Sequence, residues 1–214
     1  MAESPPAYPV QFHVDYPDRP LDRMTTFFRI FTIIPIAIVL GLVSGAGTAG
    51  TDNGDGGVTF GLLLSGGGLL FGAPLVMILF RQKYPRWWFD WNLELLRFSN
   101  RVSAYFLLLR DEYPSTDDEQ AVHLEIPYPD ATLLNRWLPL IKWLLAIPHY
   151  IVLFFLGILA LAVTIVAWFA ILFTGRYPRG LFDFVVGVMR WSNRVTAYAF
   201  ILTTDQYPPF RLSP

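Results

Sequence analysis

The chain has 214 residues, of which 54% are hydrophobic, 16% aromatic and only 15% charged. This composition is typical of an integral membrane protein rather than of a soluble domain. The formal net charge of −1 gives no general attraction to nucleic acid. The absence of cysteine excludes disulfides, thiolate catalysis and cysteine-ligated metals.

The first half of the chain predicts four elements in order. Residues 10–16 alternate apolar and polar side chains, which indicates a short strand. Residues 24–80 predict a transmembrane hairpin around a glycine-rich loop at 45–57, because each apolar arm can cross roughly 30 Å of hydrocarbon. Residues 86–101 are amphipathic and too charged to cross, so we expect an interfacial helix there. A strand is predicted at 102–109.

The second half predicts the same order of elements. A strand at 122–128 leads to an apolar stretch at 137–173, which we interpret as a second transmembrane hairpin with its turn at Gly157. A single tilted or broken helix is the alternative for that stretch. An interfacial helix is predicted at 179–194 and a further strand at 195–204. The strands together predict a small cytoplasmic β-sheet beneath the interfacial helices.

A duplicated motif supports the division into two units. Tyr-Pro-Arg at 84–86 precedes Ser-Asn-Arg-Val-Ser-Ala-Tyr, and Tyr-Pro-Arg at 177–179 precedes Ser-Asn-Arg-Val-Thr-Ala-Tyr. The pattern predicts two internal repeats, residues 1–118 and 119–214, in the same membrane orientation.

The basic residues predict the topology. None of the sixteen Lys and Arg residues lies within 30–80 or 143–174. By the positive-inside rule, both termini and the middle of the chain are then cytoplasmic. The expected fold is an α-helical integral membrane protein with four transmembrane helices, two interfacial helices and the small sheet.

Six of these cations are candidates for contact with lipid headgroups. Two occupy matching positions near the cytoplasmic ends of the apolar stretches, where long side chains can reach the interface, and four lie on the amphipathic helices. They are Arg29, Lys142, Arg97, Arg101, Arg190 and Arg194. Simple extension of the side chains to water, or salt-bridged solvated faces, are the alternatives.

Two further patterns bear on function. A His-x-acid triplet occurs twice, and on a strand the histidine and the acid share a face that could bind a divalent metal. A solvated polar face is the favoured interpretation, so no metal or cofactor is expected at the four residues His13, Asp15, His123 and Glu125.

A stripe of small residues predicts close helix packing within the monomer or in a homo-oligomer. It consists of Gly61, Ser65, Gly68 and Gly72.

The duplicated motif resembles a known family when it is read together with Ile-Pro-His-Tyr at 147–150 and Phe-Thr-Gly-Arg-Tyr-Pro at 173–178. These residues are similar to the bacterial membrane proteins grouped as domain of unknown function 4389. The resemblance implies a multi-pass protein of the bacterial inner membrane and implies no activity.

The chain contains no P-loop, dinucleotide-binding or hydrolase motif. We therefore expect a non-enzymatic accessory or scaffold subunit that binds anionic lipid or a protein partner at its cytoplasmic face, with no nucleic-acid partner. A small transporter or channel formed by oligomerisation is the alternative, and an enzyme acting on lipid headgroups is the third.

Overall fold

The computed structural model describes residues 8–44, 66–116 and 118–214, and for residues 66–71 it describes the backbone alone. This part of the chain is mostly helical. Its elements are strand β1 (Gln11–Val14), helices α1 (Arg23–Ser44), α2 (Gly66–Arg81) and α3 (Arg86–Phe106), strand β2 (Val122–Glu125), helices α4 (Pro139–Leu145), α5 (Ile147–Thr174) and α6 (Arg179–Thr196), and a π-helical turn (Ala197–Ile201) that continues α6.

The two strands form one antiparallel sheet that joins the two halves of the chain. Phe12 pairs with Leu124 and His13 pairs with His123. Side chains alternate between the two faces, so that Phe12, Val14, Leu124 and Ile126 are buried while His13, Asp15, His123 and Glu125 are exposed. The strand positions and the orientation of their side chains are confirmed.

Two helical layers are stacked on this sheet. The amphipathic helices α3 and α6 form the middle layer, and each donates an arginine Nε–H to a strand carbonyl: Arg97 to Leu124 at 3.1 Å and Arg190 to Phe12 at 2.9 Å. These contacts fix the charged faces of both helices toward the sheet.

Helices α1 and α5 form the outer layer, on the opposite side of α3 and α6. Ile36 of α1 packs against Phe98 and Val102 of α3. Farther along α1, Leu40 and Ser44 line a groove with Leu95 of α3, so α1 follows α3 along its length. Helix α5 follows α6 in the same way.

The outer helices are long and apolar enough to cross a membrane. Only 11% of the most apolar window of each helix is buried, so neither resembles the enclosed core helix of a soluble protein. The described chain thus contains two candidate membrane-spanning helices, α1 and α5, and a small two-stranded sheet.

The predicted hairpin at 137–173 is wrong, because α5 runs without interruption from Ile147 to Thr174 and through Gly157. A single glycine costs a helix only about 1 kcal/mol, and no polar segment follows it to supply a turn. The helix is interrupted at Ala146 instead, directly before Ile147 and Pro148, where the missing proline amide weakens the preceding turn.

The strands predicted at 102–109 and 195–204 are also wrong. Helix α3 continues to Phe106, and the π-helical turn extends α6 to Ile201. Leu108 and Leu202 then adopt left-handed conformations with φ of 62°. Val102, Tyr105, Val195 and Tyr198 of these segments are buried on helix faces, so packing overrides their β-propensity.

Candidate functional site

Two of the predicted lipid-binding cations are buried ion pairs. An Nη2 atom of Arg29 lies 2.5 Å from Oδ1 of Asp111, and Nζ of Lys142 lies 2.7 Å from Oδ1 of Asp205. Arg29 and Lys142 are 2% and 0% exposed. Their charges are therefore balanced inside the protein.

Each of these cations has matching neighbours. Arg29 lies over the ring of Tyr105 at 3.9 Å, and Lys142 lies 5.2 Å from the centre of the Tyr198 ring. Nη1 of Arg29 donates to the carbonyl of Arg110, and Nζ of Lys142 donates to that of Thr204, both at 2.7 Å.

The surroundings of Lys142 oppose its charge. Desolvation lowers the pKa of Lys142, while the hydrogen bond and the charge of Asp205 raise it. Because Lys142 is fully buried and its ammonium lies 2.7 Å from the carboxylate of Asp205, the pair is a structural element rather than a free headgroup site.

Arg101 and Arg194 are also buried, and both hold peripheral segments to the middle layer. Arg101 donates to the carbonyls of residues 115 and 116, and Arg194 donates to the carbonyls of residues 211 and 213. Arg97, which contacts the sheet, also forms an ion pair with Glu94 at 2.6 Å. All six predicted cations thus make internal contacts, and only Arg97 and Arg190 retain partial exposure.

An amide pair at the crossing of α3 and α6 was not predicted. Nδ2 of Asn100 donates to Oδ1 of Asn193, and Nδ2 of Asn193 donates to Oδ1 of Asn100, each at 2.8 Å. Both side chains are buried. The repeated Ser-Asn-Arg motif was the sequence signal, since an amide side chain can both donate and accept and two such side chains can therefore form a reciprocal pair.

This pair provides a test of the α3–α6 contact. Replacing Asn193 with alanine should lower the free energy of unfolding by about 1–3 kcal/mol, because the buried amide of Asn100 loses its partner. Replacing both asparagines with alanine should cost less than the sum of the two single changes, Asn100→Ala and Asn193→Ala. Thermal unfolding of the four proteins in detergent measures the coupling. Strictly additive losses would show that the amides do not interact.

The repeated His-x-acid pattern is only partly brought together. His13, Asp15 and His123 present ligand atoms within 4.8 Å of one another, whereas Glu125 lies outside this group. The rings of His13 and His123 stack at 4.5 Å. Nε2 of His123 lies 3.1 Å from Oδ2 of Asp15. The three exposed side chains could hold a divalent cation.

Only part of the small-residue stripe lies within the described residues. Gly61 and Ser65 lie outside the described residues. Gly68 and Gly72 lie on α2, and a Cβ placed on Gly72 would meet no atom within 4 Å. Close helix packing at Gly72 therefore does not occur within the described part of the monomer.

Two exposed cationic clefts lie beside the ends of the apolar helices. The first cleft, of about 480 Å³, is lined by Tyr16, Asp18, Arg19, Arg176, Tyr177 and Arg179. The second cleft, of about 710 Å³, is lined by Arg81, Lys83, Tyr84, Tyr128 and Asp130.

The same contacts build both clefts. The hydroxyl of Tyr16 donates to the carbonyl of Tyr177, and that of Tyr128 donates to the carbonyl of Tyr84. Each of the two donor tyrosines carries an arginine on its ring. Arg179 lies 4.3 Å from the centre of the Tyr16 ring and Arg86 lies 5.4 Å from that of Tyr128.

The helix ends fix the position of the first cleft. The amide of Leu21, just before α1, donates to the carbonyl of Gly175, just after α5, at 2.8 Å. Arg23 reaches the carbonyl of Phe173 at 3.3 Å. The second cleft adjoins Arg81, the last residue of α2. The clefts formed by these Tyr-Pro segments were not predicted from the sequence.

Residues 137–211 match the family model described as Domain of unknown function (DUF4389). The match includes α4, α5, α6 and the π-helical turn, and therefore Lys142, its partner Asp205 and part of the first cleft. No curated protein and no solved structure matches the chain. The segment from 137 to 211 is thus similar to this family of unknown function, in agreement with the resemblance of the repeated motif and its neighbours.

Proposed function

We propose that the chain is a non-enzymatic membrane protein, an accessory or scaffold subunit that binds anionic lipid or a protein partner at its cytoplasmic face. The observation that supports this proposal best is the apolar outer layer of α1 and α5, flanked by the two cationic clefts. Large apolar side chains cover its outer surface. They include Phe27, Phe31, Ile34, Ile38 and Leu42 on α1, and Ile151, Phe155, Ile158, Ile165 and Phe169 on α5.

So large an apolar face fits acyl chains better than water. Soluble monomers rarely expose contiguous apolar patches above a few hundred Å². Basic and aromatic side chains at the borders of such a face are typical of proteins at the headgroup level of a bilayer.

The contacts of α5 favour an orientation in the plane of the membrane. At one end, Ala146 packs against Trp191 and Val195 of the middle layer. At the other end, the carbonyl of Gly175 is bonded to Leu21. Gly157, at the middle of α5, also lines a groove with Asn193 of α6, so α5 lies along the middle layer from Ala146 to at least Gly157.

A crossing orientation would place the sheet in hydrocarbon. Gly157, at the middle of α5, lines a groove with Asn193, and Arg190, one turn earlier on α6, bonds β1. The sheet therefore lies at the level of the middle of α5. If α5 crossed the bilayer, the exposed polar face of the sheet, with Asp15 and Glu125, would lie at mid-bilayer depth at a cost of several kcal/mol. We infer that α1 and α5 are embedded in a single leaflet, which replaces the expected four crossings.

The internal repeats form part of the same proposal. A two-fold axis through the Asn100–Asn193 pair and the Phe12–Leu124 pair would exchange equivalent contacts. The exchanged contacts are Arg29–Asp111 with Lys142–Asp205, Arg97–Leu124 with Arg190–Phe12, and Tyr16–Tyr177 with Tyr128–Tyr84. In this correspondence His13 is equivalent to Glu125 rather than to His123. With the axis along the membrane normal, both clefts and the sheet face the cytoplasm.

Depth measurements along α5 test the in-plane orientation. Spin labels on cysteines replacing Ile151, Ile158 and Ile165, in protein reconstituted into bilayers, should report depths that agree within a few ångströms. The three positions are exposed on one helix face, and the chain has no native cysteine. A crossing helix would separate the outer two labels by about 21 Å.

A label at Glu125, on the exposed face of the sheet, is the control and should remain in water. Depths that place Ile151 and Ile165 near opposite surfaces would contradict the in-plane orientation. Water exposure of all three α5 labels would contradict membrane association itself.

A further inference from the structure

We propose that the two clefts are a matched pair of sites for the phosphate groups of anionic lipids, with one lipid bound at each. This inference rests on the proposed membrane function and assigns its lipid contacts to residues other than the six internal cations.

The first cleft carries an excess of positive charge. Three cations, Arg19, Arg176 and Arg179, line it with one acid, Asp18, which gives a net charge of +2. The guanidinium groups of Arg19 and Arg176 form no hydrogen bond or ion pair with any residue that the structure describes, and both residues are exposed. Guanidinium groups bind phosphate through paired hydrogen bonds, so these groups are available to a headgroup.

The second cleft carries the same excess when its neighbouring arginine is included. Arg81, Lys83 and the adjacent Arg86 oppose Asp130, again giving +2. The carboxylate of Asp130 already accepts hydrogen bonds from the amide and hydroxyl of Thr132, at 3.0 and 2.7 Å. The acid is thus bonded to Thr132, and its single negative charge offsets only one of the three cations.

A contact with a tyrosine ring preorganises one arginine in the first cleft, Arg179, and one beside the second cleft, Arg86. Arg179 lies on the Tyr16 ring, and the Tyr16 hydroxyl is fixed by its bond to the backbone of Tyr177. An arginine held on an aromatic ring keeps its N–H groups directed outward in the ring plane and loses less freedom on binding.

The position of the clefts selects a lipid rather than a free anion. Both adjoin the ends of helices whose exposed faces are apolar, so a phosphate bound there would be attached to acyl chains lying along α1, α2 or α5. Their volumes are within the range of roughly 300–1,000 Å³ that is typical of small-molecule sites.

Lipid counting by native mass spectrometry tests the proposal. Protein in phosphatidylcholine nanodiscs, titrated with phosphatidylglycerol, should retain two phosphatidylglycerol molecules. The variants Arg176→Gln/Arg179→Gln and Arg81→Gln/Lys83→Gln should each retain one, and the quadruple variant none. Each double change should weaken binding at its cleft by about 30-fold, since a basic residue near the surface contributes about 1 kcal/mol.

Arg211→Gln is the control, because this exposed arginine lies outside the lining of both clefts, and it should leave the count at two. Retention of two molecules by the quadruple variant would overturn the proposal. Binding of inorganic phosphate as tight as that of phosphatidylglycerol would overturn the lipid assignment. The depth profile of α5 in phosphatidylcholine alone is independent of these outcomes, so loss of the clefts and loss of membrane embedding are distinguished.

Discussion

Replacing Leu124 with aspartate should destabilise the protein by about 4 kcal/mol or more. Leu124 is 2% exposed and belongs to the main core cluster, opposite Phe12 in the sheet. The change removes about 1.5–3 kcal/mol of apolar burial and places a carboxylate where it has no partner. Thermal unfolding in detergent, followed by circular dichroism, should show a large loss of stability or no folded protein.

Replacing His123 with alanine is the matched control on the opposite face of the same strand. His123 is exposed, and its contacts are the stacked ring of His13 and the carboxylate of Asp15. We expect a change within about 0.5 kcal/mol, as for most surface substitutions. If His123→Ala or chelation of metal unfolds the protein as strongly as Leu124→Asp does, the His13, Asp15 and His123 group is a metal site, and a solvated polar face is the wrong interpretation.

The sequence predicted those elements whose signal is local. Alternation of apolar and polar residues located both strands and the face that each buries, and helical spacing of charges located α3 and α6. These patterns are predictive because side chains repeat every two residues in a strand and every 3.6 residues in a helix. Each repeat places one face of the element against a core, independently of distant parts of the chain.

The errors arose where tertiary packing decides the outcome. The segments after Arg101 and Arg194 have β-forming residues. They nevertheless continue α3 and α6, because their buried apolar side chains pack against neighbouring elements. The hairpin at 137–173 was inferred by matching one half of the chain to the other. The glycine-rich insertion of the first half has no counterpart there. Without a polar loop, α5 continues as one helix.

The candidate site could be predicted only in part. Arg29 and Lys142 were recognised as a matching pair, but their partners lie 82 and 63 residues away in sequence, at Asp111 and Asp205. No local sequence pattern predicts ion pairs between residues so far apart in the chain. The clefts likewise depend on tyrosine hydroxyls that reach carbonyls in the other half of the chain.

The pairing of Lys142 leads to the last prediction. Replacing Asp205 with alanine should cost about 3–5 kcal/mol, because it leaves a fully buried ammonium without its counter-charge. Asp205 also accepts a hydrogen bond from the amide of Asn135 at 2.7 Å, and this contact is lost as well. Adding Lys142→Met should recover part of the loss, since it removes the uncompensated charge, and Asp18→Ala, at an exposed acid, should change little.

The stability of the variant should also depend more strongly on pH than that of the unchanged protein. Burial lowers the pKa of Lys142, and Asp205 is the group that raises it, so its removal lowers the folded-state pKa further. Between that folded-state pKa and the unfolded value of about 10.4, the unfolded chain binds more protons than the folded protein. The stability of Asp205→Ala should therefore rise with pH over this interval. The rise should be absent from the double variant, which has no lysine at position 142. A loss below about 1 kcal/mol with no dependence on pH would show that water, rather than Asp205, stabilises the ammonium of Lys142.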